Sequence, residues 1–413
     1  MADVHPIRAV RPLDALAGEV IAPPYDTLTD AEARHLALNP RSFVHITRPE
    51  VDLPVGTDSH SDEAYEAGAA SLRRFLEQGL LVEDAIPGYY VYRLRMGDHM
   101  QTGFIAGCSV DEYKRGRIKK HEFTRLDKEE DRTRHLLTLE AQVGLVFIAY
   151  RKNAQLKAIA DDISSLTPRW RITTTDGVEH TLWRAADVDT PHIREAFRKA
   201  GALYIADGHH RSAAGARAGD ELGTEDAQTF LAGLFPDDEL YIMSYNRIVH
   251  DLNGHDQDAF MAKVAESFHI EDADGPRPPV RGTFTMYIDG KWHLLEPHED
   301  KVDIKDPVKS IDASILQDLL LAPILGIDNP RTSKRIDFVG GIRGPGALVE
   351  GVQNGTGLVA FHLYPTSMEQ LLRVADAGEV MPPKSTWFEP KLREGVVSRL
   401  LRPDGFDDNA PVE

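Results

Sequence analysis

Leu203 to Ala206 is an apolar run of strand length, closed by Asp207-Gly208 and followed from Arg211 by an alanine-rich stretch with helical spacing. This pattern predicts an interior strand, a tight turn at Gly208 and a helix that begins within a few residues of Arg211. Just upstream, Thr190 to Ala200 reads as a helix with Thr190 as cap and Pro191 at its first position. Helix, strand, turn and helix in that order predict an α/β layer, and the fold class is mixed α/β.

Elsewhere the period alternates. Tyr89 to Leu94 and Gln101 to Val110 flank Gly97-Asp98, Trp170 to Thr174 and His180 to Arg184 flank Asp176-Gly177, and Thr283 to Ile288 and Lys291 to Leu295 flank Asp289-Gly290. Each pair predicts a β-hairpin. Phe43 to Ile46, Gln142 to Tyr150, Phe230 to Phe235 and Tyr241 to Val249 read as further strands. Helical spacing marks Thr29 to Leu38 (cap at Thr29 or Asp30), Asp62 to Gly79, Asp256 to Phe268 and Asp312 to Leu321. Asp274 to Pro279 reads as a loop, and the tail after Pro403 as a mobile end. No internal repeat stands out. The chain reads as one unit over 1–413, with possible sub-lobes 1–150, 151–300 and 301–413.

The chain has 413 residues, of which 42% are hydrophobic and 27% charged, with a formal net charge of −19. So acidic a chain is a poor binder of nucleic acid, since neutralising phosphates supplies most of that affinity. Cys108 is the only cysteine, which excludes a disulfide framework and a multi-cysteine metal site. Met1 to Val10 lacks an apolar signal core, and no apolar run approaches membrane length. The expectation is a cytoplasmic protein without a membrane partner; the sequence does not give its oligomeric state.

Chemistry-bearing residues fall in a few clusters. The strand-to-helix turn at Gly208 exposes backbone N–H groups at the positive end of a helix dipole, a ready anion site. It also carries Asp207, His209, His210 and Arg211. Arg211 can clamp phosphate, His209 or His210 can donate to a phosphoryl oxygen or move a proton, and Asp207 can hold a histidine tautomer or a magnesium ion. Pro23-Pro24 sets Tyr25 and Asp26 in a stiff turn. Lys120-His121-Glu122-Phe123-Thr124 offers cations for phosphate and a carboxylate, Glu122, as base or metal ligand. Prolines flank Lys384-Ser385-Thr386, which brings an ammonium and two hydroxyls beside Trp387. No P-loop, dinucleotide glycine fingerprint or nucleophile-elbow motif occurs.

Ala22-Pro23-Pro24-Tyr25-Asp26, Lys120-His121-Glu122-Phe123-Thr124, Ala206-Asp207-Gly208-His209-His210-Arg211, Met243-Ser244-Tyr245-Asn246-Arg247 and Met381-Pro382-Pro383-Lys384-Ser385-Thr386 together resemble the bacterial and archaeal family long called domain of unknown function 1015. The resemblance covers almost the whole chain. The central turn is similar to the phosphate turns of the ParB and sulfiredoxin superfamily, which includes kinases of free serine. The resemblance implies a ParB/sulfiredoxin-like core with large additional lobes. It also implies phosphoryl transfer to L-serine, giving O-phospho-L-serine, with pyrophosphate or a nucleotide as donor. Family members often carry tyrosine where this chain has Ser212, which bears on substrate or donor identity.

On this reading Arg211, His209, His210 and the amides about Gly208 bind phosphate, and Glu122 or Asp207 accepts the hydroxyl proton. Tyr25, Asp26, Lys120, His121, Thr124, Asn246, Arg247, Lys384, Ser385 and Thr386 are the further binding candidates. Magnesium is expected between phosphoryl oxygens, with Asp207 as a candidate ligand. The segments Lys120 to Thr124, Asp207 to Arg211 and Lys384 to Thr386 are expected to meet at one cleft. The rival readings are a pyrophosphate or nucleotide hydrolase and a ParB-like nucleotide- or DNA-binding regulator.

Overall fold

The computed structural model describes residues 2–278 and 280–401. It is mixed α/β and divides into two compact units, residues 1–240 with 390–413, and residues 241–389. The sub-lobe limits at 150/151 and 300/301 do not coincide with this division. The tail after Pro403 and Pro279 of the expected loop lie outside the described residues.

Among the described residues the first unit is built on a nine-stranded sheet. Its strands are β1 (Val4–His5), β2 (Tyr90–Met96), β3 (His99–Ser109), β4 (Ile118–Lys119), β5 (Val146–Tyr150), β6 (Trp170–Thr173), β7 (Glu179–Arg184), β8 (Leu203–Asp207) and β9 (Thr229–Pro236). The order is β4-β8-β5-β9-β3-β2-β7-β6, with β1 beside β3. Two neighbouring pairs are parallel, β4 with β8 and β5 with β9; the others are antiparallel. The expected hairpins β2–β3 and β6–β7 are present, with Gly97 and Gly177 at positive φ. The expected interior strand is β8, lying between β4 and β5.

Four helices matter for the site. α1 (Asp62–Glu77) is capped by Ser61, whose hydroxyl accepts the Ala64 N–H at 3.3 Å, and buries Tyr65, Ala69, Leu72 and Phe75. α2 (Leu126–Leu139) packs against it, α3 (Thr190–Lys199) leads into β8, and α4 (His209–Leu222) follows β8. In α3 the cap is Asp189 and Thr190 is already helical. α4 begins two residues before Arg211. Its buried face is almost all small: Ala213, Ala214, Gly215, Ala216, Ala218 and Gly219. A Cβ at Gly215 would stand 2.8 Å from the Phe230 Cβ, so the helix axis lies close to β9 only because that position has no side chain.

Several expected elements differ. Phe43 to Ile46 is not a strand; Val44–Thr47 is a helical turn. Its residues are buried on every side, and a half-exposed strand could not bury consecutive positions this way. Gln142 to Tyr150 is broken, with Ala141–Gln142 pairing Arg399–Leu400 and only β5 in the main sheet. The helix expected over Asp256 to Phe268 ends at Ala265, and Phe268 opens a strand.

The second unit is a six-stranded antiparallel sheet: β10 (Tyr245–Val249), β11 (Phe268–Asp272), β12 (Phe284–Ile288), β13 (Lys291–Pro297), β14 (Ile336–Gly340) and β15 (Val359–Leu363), in the order β11-β13-β12-β15-β10-β14. The run Tyr241 to Val249 is split at Ser244, because Tyr241–Met243 pairs Trp387–Glu389 instead. The helix at Asp312 to Leu321 is α-helical to Leu316 and π-helical over Gln317–Leu321.

The close seating of α4 is testable. Gly215→Leu forces a large side chain against Phe230 and is expected to cost about 1–3 kcal/mol of unfolding free energy. Urea titration of the purified variant measures it, and an unchanged midpoint refutes the packing argument.

Candidate functional site

β8 ends at Asp207, and Gly208 turns the chain with φ 90° and ψ 32°, the left-handed region that favours glycine. The first α4 helical bond is the Ser212 N–H to the Gly208 carbonyl at 2.9 Å. Amides ahead of it lie at the positive end of the helix, where an anion is favoured. The Gly208 N–H donates to Asp207 Oδ1 at 2.7 Å, and Lys391 Nζ meets Asp207 Oδ2 at 2.9 Å. Burial works to raise the Asp207 pKa, but the Lys391 and Arg211 charges win and hold the carboxyl well below the usual range.

The parallel register of β4 on β8 pairs Ile118 with Leu203 and Lys119 with Tyr204, so the chain leaves both strands at the same end. His121 therefore meets His209: their ring centroids are 4.5 Å apart at 89°. The His121 N–H points at His209 Nε2 over 3.4 Å, and the Arg125 N–H donates to His210 Nε2 at 3.0 Å. Glu122 joins the histidine pair, with one ligand atom from each of His121, Glu122 and His209 all within 4.8 Å of one another. Burial lowers His121 to about 4, partly offset by a hydrogen bond to the Ile205 backbone and by Asp207. Burial also drives His209 well below the ordinary imidazole value, helped by His121. Burial thus favours the neutral form of both rings. Lys120 Nζ stands 3.9 Å from the Tyr113 ring centroid, and Thr124 Oγ1 donates to Glu129 at 3.1 Å.

Arg211 turns back from the helix start, and its Nη1 donates to the Leu145 carbonyl at 2.6 Å. It lines a cavity of about 50 Å³ together with Tyr25, Thr47, Arg132 and Glu394. The Glu394 backbone pairs with Ala22 in both directions, N–H to carbonyl at 3.1 and 2.9 Å, so the Pro23-Pro24 turn and the Glu394 segment are locked together. Arg132 lies 4.3 Å from the Tyr25 ring centroid. Glu394 is 2% exposed, and the Thr47 hydroxyl stands beside its carboxyl. Burial pushes the Glu394 carboxyl up to about 7 against the pull of the Thr47 hydroxyl and of Arg211. It also pushes the Tyr25 hydroxyl up to about 12 against Arg132. Arg211 stays firmly protonated: burial opposes its charge, but Asp26 and Asp207 outweigh it. A Cβ at Gly144 would stand 3.4 Å from Arg211 Cδ and 3.6 Å from Glu394 Oε1, so this glycine leaves the space between them open.

The magnesium role considered for Asp207 does not fit its surroundings. Both carboxylate oxygens are engaged, one by an ammonium, and Arg211 adds a second cation to its field. A hard dication seeks oxygens that are not already neutralised.

The first unit thus gathers Tyr25, Asp26, Lys120, His121, Glu122, Asp207, Gly208, His209 and Arg211, with His210 and Thr124 at its edge. The remaining candidates belong to the second unit, where several already have structural partners. Asn246 is fully buried on β10 and accepts the Leu363 N–H at 3.1 Å. Arg247 Nη2 donates to the Lys384 carbonyl at 3.0 Å, and burial lowers its pKa to about 10. Ser385 Oγ donates to the Pro382 carbonyl at 2.7 Å. Lys384 has φ 60° and places Nζ 5.5 Å from the Tyr245 ring centroid, while Thr386 is half-buried. Sequence reasoning missed Arg132, Lys391 and Glu394 as site residues. Lys391 closes the proline-flanked loop and is a visible charge there. Glu394 carries no local signal, because its position comes from pairing with Ala22.

The raised Glu394 pKa has a measurable sign. The folded carboxyl stays protonated up to about 7, whereas its ordinary value is 4.5. Its contribution is fully present below 4.5 and is lost as pH rises through 7, a swing on the order of 3 kcal/mol. Glu394→Gln is therefore expected to match the parent at acid pH and to exceed it in stability above pH 7. Denaturant midpoints of both proteins across that window check this; parallel curves refute it.

No curated protein matches the chain. Among solved structures, a conserved hypothetical protein from Pyrococcus furiosus shares 14% identity over 69% of this chain and 90% of its own, with a TM-score of 0.35. A free serine kinase in complex with AMP shares 12% over 69% and 86%, with a TM-score of 0.33. SbnI with a C-terminal truncation, from Staphylococcus aureus, shares 12% over 70% and 84%, with a TM-score of 0.38. These are distant likenesses, and the site stands on the chain's own residues. A family model described as a protein of unknown function, DUF1015, matches residues 4–314, most of the sequence, and the chain belongs to that family.

Proposed function

We propose that this protein is a phosphotransferase that moves a phosphoryl group from pyrophosphate or a nucleotide to the hydroxyl of free L-serine. The observation that carries the reading is the placement of Arg211 between an anion-binding helix start and a polar cavity that holds Glu394. The identity of the acceptor follows the family resemblance. In this scheme the backbone amides of the first turn of α4 and the Arg211 guanidinium bind the donor phosphoryl group. The acceptor hydroxyl enters the cavity. Its oxygen forms the new O–P bond, the bridging P–O bond of the donor breaks, and the leaving phosphate carries away that electron pair. The hydroxyl proton passes to ionised Glu394. Asp207 is a poor base because Lys391 holds its charge. Phosphoryl transfer depends mainly on positioning and charge neutralisation, and the half-buried Arg211 guanidinium would supply both.

A donor-by-amino-acid screen with phosphorus detection of products tests the reading. O-Phosphoserine formed only when serine is present supports it; phosphate release that ignores serine makes the protein a hydrolase. Arg211→Ala is expected to lower kcat/KM about a hundredfold. Glu394→Gln is expected to lower kcat with little change in donor affinity, and to abolish the rise of rate with pH through about 7. Glu122 is the competing base, and a profile flattened by Glu122→Gln instead moves the role there. A folded, fully active Arg211→Ala protein refutes the phosphate role.

A further inference from the structure

We infer that His121, Glu122 and His209 form a binding site for a divalent transition ion such as Zn²⁺, Mn²⁺ or Co²⁺, and not for Mg²⁺. Three observations converge. The three ligand atoms lie within 4.8 Å of one another, close enough for small movements to bring all of them onto one ion. His121 is 2% exposed, yet its Nδ1 has no hydrogen-bond partner, and an unpaired buried acceptor costs free energy unless something fills its need. His209 is 6% exposed, and the His121 backbone N–H approaches its Nε2 only at a long 3.4 Å.

The donor set decides the ion. Two nitrogens and one carboxylate suit borderline ions, whereas Mg²⁺ takes oxygen ligands and water. Three protein ligands leave at least one coordination position open, as in catalytic rather than structural sites. The cluster sits beside the anion-binding turn, since His209 is the first residue of α4. The open position therefore suits an oxygen of a phosphate or a water molecule. This inference rests on the cluster alone and not on the proposed reaction.

The test is direct binding without any substrate. Chelator-stripped full-length protein is titrated with CoCl₂ and ZnCl₂, followed by visible absorption for Co²⁺ and calorimetry for both. One equivalent is expected to bind, with a cobalt spectrum of nitrogen ligation, and excess MgCl₂ is expected not to compete. Glu122→Gln alters a half-exposed residue and is the variant least exposed to folding failure; it is expected to weaken binding by at least about tenfold, because even outer-shell losses reach that size. His209→Gln, checked for native circular dichroism, is expected to abolish the cobalt spectrum. Absence of stoichiometric binding, effective competition by Mg²⁺, or unchanged affinity in Glu122→Gln overturns the site. Metal binding without serine phosphorylation leaves the site standing and refutes the kinase reading alone.

Discussion

The site depends on a very short parallel pairing. Two residues of β4 lie alongside β8, and because they run in the same direction both chains exit at one end of the sheet. Antiparallel pairing would have sent the segment after Lys119 to the opposite end, away from Asp207 and His209. The turn at Gly208 then reverses β8 into α4 within one residue, which only a left-handed backbone permits. The small-residue face of α4 presses that helix onto β9 and fixes where its first turn stands. The side chain of Arg211 is thereby aimed at the Leu145 carbonyl and the cavity rather than at solvent.

Two carboxylates near Arg211 show how environment divides one chemistry. Asp207 has an ammonium at 2.9 Å and an amide at 2.7 Å, so its charge is cheap to keep. Glu394 is 2% exposed, so its charge is costly and its pKa climbs to about 7. The same guanidinium lies in the field of both. Separated acid strengths in paired carboxylates are the usual mark of assigned acid–base roles. Here the local partners, not the residue type, produce the separation.

What was legible in the sequence is what short-range rules decide. The strand at Leu203, the turn at Gly208 and the hairpins at Gly97-Asp98, Asp176-Gly177 and Asp289-Gly290 all follow from local period and turn chemistry. Of the two cap candidates Thr29 and Asp30, the structure has Thr29, which also forms a capping box with Glu32. What was not legible depends on distant partners. Val44–Thr47 holds β-branched residues, but its neighbours bury it from every side and a helical turn results. Glu394 becomes a cavity residue only through its backbone bonds with Ala22, hundreds of positions earlier in the chain. Arg247 and Ser385 look like ligand donors in sequence, yet their polar groups bond to backbone carbonyls of the second unit.

Acidic composition and the proposed phosphate chemistry are reconciled by where the cations are kept. The net charge of −19 belongs to the chain as a whole, whereas Arg211, Arg132 and Lys391 are held within a few side chains of Glu394 and Asp207. Each is fixed by a named partner: Leu145 for Arg211, Asp131 for Arg132 and Asp207 for Lys391. Fixed cations need little reorganisation when an anion arrives, and reorganisation is the larger part of what water-exposed lysines would have to supply. The histidines add nothing to this positive field, since burial keeps His121 and His209 neutral. In the proposed metal site they offer lone pairs, so that guanidinium groups would supply charge and imidazoles coordination.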